Sequence, residues 1–444
     1  MTRVRTDPPI AAEPATRSYP SPAIAWWTVA VLFIAYLVSF VDRVLIGLLV
    51  EPIKADLNLT DTQFSLLQGL AFAVLYTVLG IPFGWLADRV SRKWLVAGGS
   101  AVWCAATVFC GLSHSFWQLL AARLGVGAGE AALPPSAVSL ISDSFSPRQR
   151  PLAMSVYTAA SSMGAGASLV LGGLVVALVA SSPTYEMPFV GEISSWKAVF
   201  IYFGMAGFVV TIAAMTMTEP EREKRKAATP GVDSTLRTHM WTYRATFLPL
   251  LAAMTLYGVI AYGLLGWIPA FFIRTYGMEA SAVGVQYGLV LLLFGGAGGL
   301  VGAWVAARVP ARWGMPSLVV CAGAAALVAP LMTAGFASST AFGALAWLAV
   351  GLLAYTVPSG LGIAAFQSAI PTEHRGMAAA IYYLLIGLIG MTLGPLSVAL
   401  LSDNVFGSDQ LRWSLSVLVC VCAPCAALLF FMAARKIVDT PEQS

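Results

Sequence analysis

Four ionisable side chains stand where a chain this apolar should carry none: Asp42 and Arg43 in one apolar run, Arg123 and Glu130 in another. Burying a charge in a bilayer costs several kcal/mol unless it is paired or faces a cavity, so each is a functional candidate. A carboxyl group in apolar surroundings holds its proton more tightly, and a neighbouring arginine opposes this. Arginine itself stays charged throughout. A carboxylate that repeatedly gains and loses an arginine partner can therefore take up and release a proton. Arg123 and Glu130 share a helix face with Gly127 and Pro134, which leaves that face thin and accessible. Glu130 beside Arg123 is the first candidate for proton coupling and Asp42 the second. Arg123 and Arg43 are the charge partners and candidate groups for binding an anion. With both acids ionised the cluster is neutral, and with both protonated it is doubly positive. Protonation thus favours an anionic ligand, whereas a cation would compete with protons. The bland alternative is a neutral cluster that only locks two helices together.

These residues need long helices to hold them. Of 444 residues, 10% are charged and 58% hydrophobic, against roughly 25% charged in a soluble domain. A water-soluble enzyme or nucleic-acid binder is excluded. Six cysteines, all in apolar runs, form no disulfide framework. Twelve stretches are long enough to cross a hydrocarbon core of about 30 Å as helices. They span about 24–50, 62–86, 93–113, 115–142, 150–180 and 197–217, then 245–273, 281–306, 316–336, 341–369, 375–402 and 412–435. The fold class is an all-α membrane protein of twelve transmembrane helices in two six-helix bundles, 24–217 and 245–436. Residues 1–23 and 437–444 read as tails, and 218–244 as a polar linker. With the N-terminus inside, 19 of the 25 Lys and Arg fall on inner segments, so both termini are expected in the cytoplasm. Asp42 lies eight residues before the outer end of helix 1 and Arg123 eight after the outer start of helix 4, at similar depth.

The chain repeats itself. DRVSRKW (Asp88–Trp94), between helices 2 and 3, matches ARVPARW (Ala307–Trp313), between helices 8 and 9. Arg150, Ala153 and Tyr157, opening helix 5, match Arg375, Ala378 and Tyr382, opening helix 11. Two parallel halves are the plan of transporters that bind cargo near midplane between them. Asp88 reads as one end of an inner latch, and it stands alone because its counterpart is Ala307. Gly80/Gly84, Gly125/Gly129, Gly298/Gly302 and Gly390/Gly394 have the four-residue spacing of close helix contacts. Thr60 to Gln63 reads as a capping box that opens helix 2.

GWLADRVSRK (Gly84–Lys93) resembles the loop signature of the major facilitator superfamily, with Ser91 in place of its second glycine. LLAARLGVGAGE (Leu119–Glu130) is similar to that superfamily's helix-4 arginine and glycine motif. FVDRVLIGLLVEPIKADL (Phe40–Leu57), together with Glu130, resembles its spinster branch of lipid transporters. The resemblance implies alternating access by rocking of the two halves. It implies proton coupling through Asp42 and Glu130, assisted by Arg123 and Arg43, with Asp88, Arg89 and Arg92 in the inner gate. It also implies an amphipathic anion such as a lysophospholipid or sphingosine phosphate. Tyr257, Tyr262, Trp267, Tyr355, Tyr382 and Tyr383 are candidates to border a lipid tail in the uncharged second half. The helix-5 antiporter motif is incomplete: Gly172 and Gly173 fit, but Ser168 and Leu169 replace its inner glycine and proline.

The function expected is proton-coupled secondary transport of an amphipathic lipid, driven by the proton gradient without a cofactor. A carrier of small organic solutes or drugs is the rival. An intramembrane enzyme is disfavoured: His114, His239 and His374 lie in loops without metal-ligand spacing. No nucleophile elbow or phosphate-binding loop occurs. A non-transporting receptor is the remaining class. The expected setting is a bacterial inner membrane, as a monomer, with membrane lipids and no nucleic acid as partners.

Overall fold

The computed structural model describes residues 19–179, 184–187, 191–222, 244–310, 314–368, 370 and 375–438. Eleven helices among them are long and apolar enough to cross a bilayer, and a twelfth, Arg150–Val179, does so as a pair of segments bent by 41°. Helices 1 to 6 are Pro22–Leu48, Asp61–Ala87, Arg92–Gly111, Phe116–Ser144, Arg150–Val179 and Ser195–Thr216. Helices 7 to 12 are Arg244–Tyr276, Ala280–Ala306, Pro316–Phe336, Ala341–Ser368, the interrupted run Arg375–Phe406, and Leu411–Val438. His239 and His374 lie outside the described residues.

Local chemistry sets the boundaries. Thr60 Oγ1 accepts from Gln63 N while Gln63 Oε1 accepts from Thr60 N, which is the expected capping box. Asn58, in the left-handed region at φ 52°, ends the short helix Val50–Leu57 and turns the chain into helix 2. A two-stranded hairpin, β1 (Thr184–Met187) and β2 (Gly191–Ser194), connects helices 5 and 6.

The internal repeat is visible in side-chain geometry. Arg89 lies over Trp85 at 3.8 Å and donates to its carbonyl. Arg308 lies over Trp304 at 3.7 Å and does the same. The same contact, one turn back along each helix, closes the same loop in both halves.

Helix 5 packs on helix 8 and helix 2 on helix 11 across the bundles. A methyl placed on Gly288 would sit 2.8 Å from Val170 N and 2.9 Å from Gly166 O, so only glycine permits this approach. Gly129 meets Trp103, Gly298 meets Leu353 and Gly394 meets Gly263 just as closely. The pair Gly80/Gly84 departs from expectation, having nothing within 4 Å of either position. Both glycines lie in the half of helix 2 that leads to the Asp88 loop.

The other end, outer in the orientation that the charges predict, is sealed. Arg274 of helix 7 donates to Asp61 of helix 2 at 2.8 Å and to Glu51 at 2.7 Å. Lys54 and Ser402 also bind Asp61. Asp403 of helix 11 accepts from the first amides of helix 2, Asp61 N at 3.2 Å and Thr62 N at 2.7 Å. A carboxylate capping a helix N-terminus in the opposite bundle is favourable for both. Trp267 adds an apolar plug, edge-on to Phe64 and donating to Pro395 O at 2.9 Å. It is fully buried in this seal and is not among the residues that line the cavity formed by the second-bundle tyrosines. At the opposite end no ion pair joins the two bundles among the described residues.

Candidate functional site

Helix 1 supplies two adjacent charges, and the turn of about 100° between neighbouring residues sends them to different partners. Asp42 points towards helices 3 and 4. It accepts from Arg123 Nη1 at 3.3 Å and from the Thr107 hydroxyl. Arg43 lies instead against Glu130, with Nε and Nη2 donating to Oε2 at 2.8 and 2.5 Å. Three aromatic faces enclose its guanidinium, those of Phe40, Phe72 and Tyr76 at 4.6 to 5.0 Å. Tyr262 of helix 7 also interacts with it across the bundle interface.

The partnership expected from spacing is therefore wrong. Arg123 serves Asp42, and Glu130 belongs to Arg43. Seven residues rise about 10 Å along a helix, which separates Arg123 from Glu130 too far for direct pairing. The predicted thin face is closed as well: a methyl on Gly127 would meet the Phe72 carbonyl at 2.4 Å. All four groups still interact across the two pairs as one cluster, which is neutral when both acids are ionised.

The pairs differ in access. Asp42 and Arg123 are shut away at 1% and 0% exposure. The Arg43 side chain retains 10% exposure, while that of Glu130 has none. Glu130 Oε1 is buried without a hydrogen-bond partner. An ionised carboxylate with one bare oxygen is costly, and a proton on that oxygen relieves much of the cost. Helix 4 aids this arrangement by breaking just after Glu130 and resuming at Leu133, ahead of Pro134 and Pro135.

The inner loop is held mainly by residues that the sequence did not disclose. Arg92, 1% exposed, binds Asp143, donates to Glu219 Oε1 at 2.7 Å and reaches Pro220 O at 3.0 Å. Glu219 also accepts from Lys93 N at 3.0 Å and Ser91 Oγ at 2.9 Å. Arg222 binds the carbonyls that end helix 2, those of Ala87, Asp88 and Val90. The start of the linker thus straps the loop down, and only its charged sequence hinted at this. Arg92 works inside the first bundle. Arg89 is spent on Trp85, and the exposed Asp88 carboxylate has no partner among the described residues. The latch expected of Asp88 is therefore not made among the described residues.

Burial alone would push the Glu219 carboxyl up, but hydrogen bonds from Lys93 N, Arg92 and Ser91 outweigh it and hold the group below its usual range. Such a group stabilises the fold above its unfolded value of about 4.3 and loses that contribution as pH falls through the lower folded value. Glu219→Gln should cost about 1 kcal/mol at neutral pH, given its partial exposure. Melting curves taken from pH 7 to pH 3 should show the difference from the parent shrinking with acid. A constant difference would leave the strap without its ionic component.

Tyr257, Tyr262, Tyr355 and Tyr382 meet around one cavity of about 200 Å³ in the second bundle. Tyr383, 63% exposed, is not among its walls. A larger groove of about 670 Å³ runs between helices 3 and 4 along Val102, Ala106, Phe109 and Gly125, and no charged residue lines it.

The family model of the Major Facilitator Superfamily matches residues 32–395. The chain belongs to the major facilitator superfamily. Among curated relatives it is 29% identical to an MFS-type efflux pump of Mycolicibacterium smegmatis, over 94% of both chains. It is 23% identical to Protein spinster of Drosophila melanogaster, over 86% of this chain and 62% of the relative. The crystal structure of a bacterial homologue of the human lysosomal transporter spinster, inward-facing and unoccupied, superposes with a TM-score of 0.81 at 24% identity. That match covers 94% of this chain and 98% of the other. A major facilitator superfamily member with spinster relatives is a transporter, and in this conformation its two bundles meet at the seal that joins the short helix Val50–Leu57 and helix 2 to helices 7 and 11, and where helix 5 packs on helix 8.

Proposed function

We propose that this transporter couples the movement of an amphipathic anion to protons by alternating access. The observation that carries the reading is the Arg43–Glu130 pair, at the bundle interface, with one carboxylate oxygen bare. Protonation of Glu130 removes the negative partner of Arg43. The guanidinium, already walled by aromatic rings, then takes the cargo's acidic group in exchange. Loss of the proton returns Glu130 to Arg43 and expels the anion. Proton and anion are therefore bound and released together at this site. Asp42 and Arg123 form the second, more deeply buried pair of the same cluster. The rocking that this requires exchanges the Arg274 seal for an inner closure in which Asp88 gains a partner. Bias of Lys and Arg towards the inner segments supports cytoplasmic termini, and the bacterial relative supports an inner membrane.

The rival cargo, a small organic solute or drug, is favoured by the similarity to an efflux pump over nearly the whole chain. A thermal-stabilisation screen of the purified protein separates the two. The compounds are lysophospholipids, sphingosine phosphate, sugars and cationic dyes. Single-chain anionic lipids should stabilise it, by about 2.7 kcal/mol at a hundred times Kd, and more strongly as pH falls. Stabilisation by a sugar or dye, with no response to lipid, would select the rival.

A further inference from the structure

The second bundle's cavity carries an excess of polarity for a hydrocarbon pocket. Tyr257 and Tyr355 stack with centroids 5.1 Å apart and planes 12° from parallel. Tyr355 spends its hydroxyl on Tyr257 O at 3.0 Å, and Ser359 spends its own on Thr356 O at 2.6 Å. The remaining phenols are unspent. Tyr257 is 7% exposed and its hydroxyl is buried with no hydrogen-bond partner. Among the described residues the hydroxyls of Tyr262 and Tyr382 make no hydrogen bond either. No charged side chain lines the cavity. Tyr262, in the wall of this cavity, lies within electrostatic range of Arg43 in the first bundle.

Phenylalanines would line an alkyl pocket without leaving a buried hydroxyl unpaired, which proteins avoid. The volume, about 200 Å³, is also below the usual ligand-pocket range of roughly 300–1,000 Å³. It suits a short segment of a ligand rather than a long chain. We infer that this cavity is a subsite for the uncharged, oxygen-bearing segment of the cargo, an ester or hydroxyl group beside its acidic head, with the Tyr257 hydroxyl as the hydrogen-bond donor. This rests on the reading of the cargo as an amphipathic anion held by Arg43. The tyrosines then select a glycerol-type linker, and are not a lining for the tail.

Two probes test it: palmitoyl lysophosphatidic acid, and hexadecyl phosphate, which keeps a phosphate and a long chain but lacks the ester and hydroxyl. Affinities are read by thermal shift and intrinsic fluorescence. The parent protein should prefer the lysophosphatidic acid by about five- to tenfold, the effect of one neutral hydrogen bond. In Tyr257→Phe the ratio of the two affinities should fall to about one. Ligand-free melting reports whether that variant is folded, and Tyr382→Phe, expected to lower the ratio partly, replaces it if it is not. Equal affinities in the parent, or a full preference surviving in a folded Tyr257→Phe protein, overturn the subsite and leave the anion reading intact. Failure of both probes to bind overturns the anion reading and the subsite with it.

Discussion

In Glu130→Gln protein the binding of an anionic cargo should become independent of pH, and proton-driven accumulation in proteoliposomes should fall about a hundredfold. The sign follows from the pairing. In the parent an ionised Glu130 occupies Arg43 through two hydrogen bonds of 2.8 and 2.5 Å. Acid removes that competitor, so anion affinity should rise as pH falls. Glutamine mimics the protonated state at every pH, so affinity should be high and flat. Release then fails because nothing negative returns to reclaim the guanidinium. Breaking a buried ion pair by removing one partner costs about 3–5 kcal/mol, which supports an effect of a hundredfold or more. Arg43→Gln should also flatten the pH dependence, but with the anion lost rather than retained. Retention of the parental pH slope in Glu130→Gln protein would move the coupling role to Asp42.

Arg274→Met should open the sealed end, which is the outer one in the orientation that the charges predict. Arg274 joins helix 7 to Asp61 and Glu51 and also donates to Ser408 O at 3.1 Å, so a single side chain ties three segments across the two bundles. Asp61 has no exposed side-chain surface and would keep only Lys54 and Ser402. With that partial compensation the loss is about 2 kcal/mol of preference for the closed outer end, or some thirtyfold in the ratio of conformations. Spin labels at Ala55 and Glu279, both exposed near the outer end of opposite bundles, should show a longer distance in the variant. An unchanged distribution would mean that the apolar contacts of Trp267 and the helix 5–8 crossing close this end by themselves.

The superfamily resemblance was carried by residues with short-range reasons to be where they are. Charge avoidance in a bilayer picked out Asp42, Arg43, Arg123 and Glu130, and the matching loops announced two halves. Trp85–Arg89 and Trp304–Arg308 later showed the repeat as a repeated contact. The Thr60 cap was equally readable, because its hydrogen bonds join residues three apart.

Spacing along one helix could not tell which arginine meets which acid. That choice depends on how helices 1 and 4 are rotated within the bundle, and the rotation of helix 4 is decided by packing such as Gly127 on Phe72 and Gly129 on Trp103. The outer lock was hidden for a related reason: Asp61, Arg274 and Asp403 are hundreds of residues apart and look like ordinary loop charges singly. Gly80 and Gly84 show the converse, since a spacing suited to close contact there meets nothing within 4 Å. Composition, periodicity and solvation cost are properties of the chain and its solvent, so they determined a twelve-helix membrane protein and its expensive charges. Pairing and closure are properties of two surfaces brought together, and only the tertiary structure decided them.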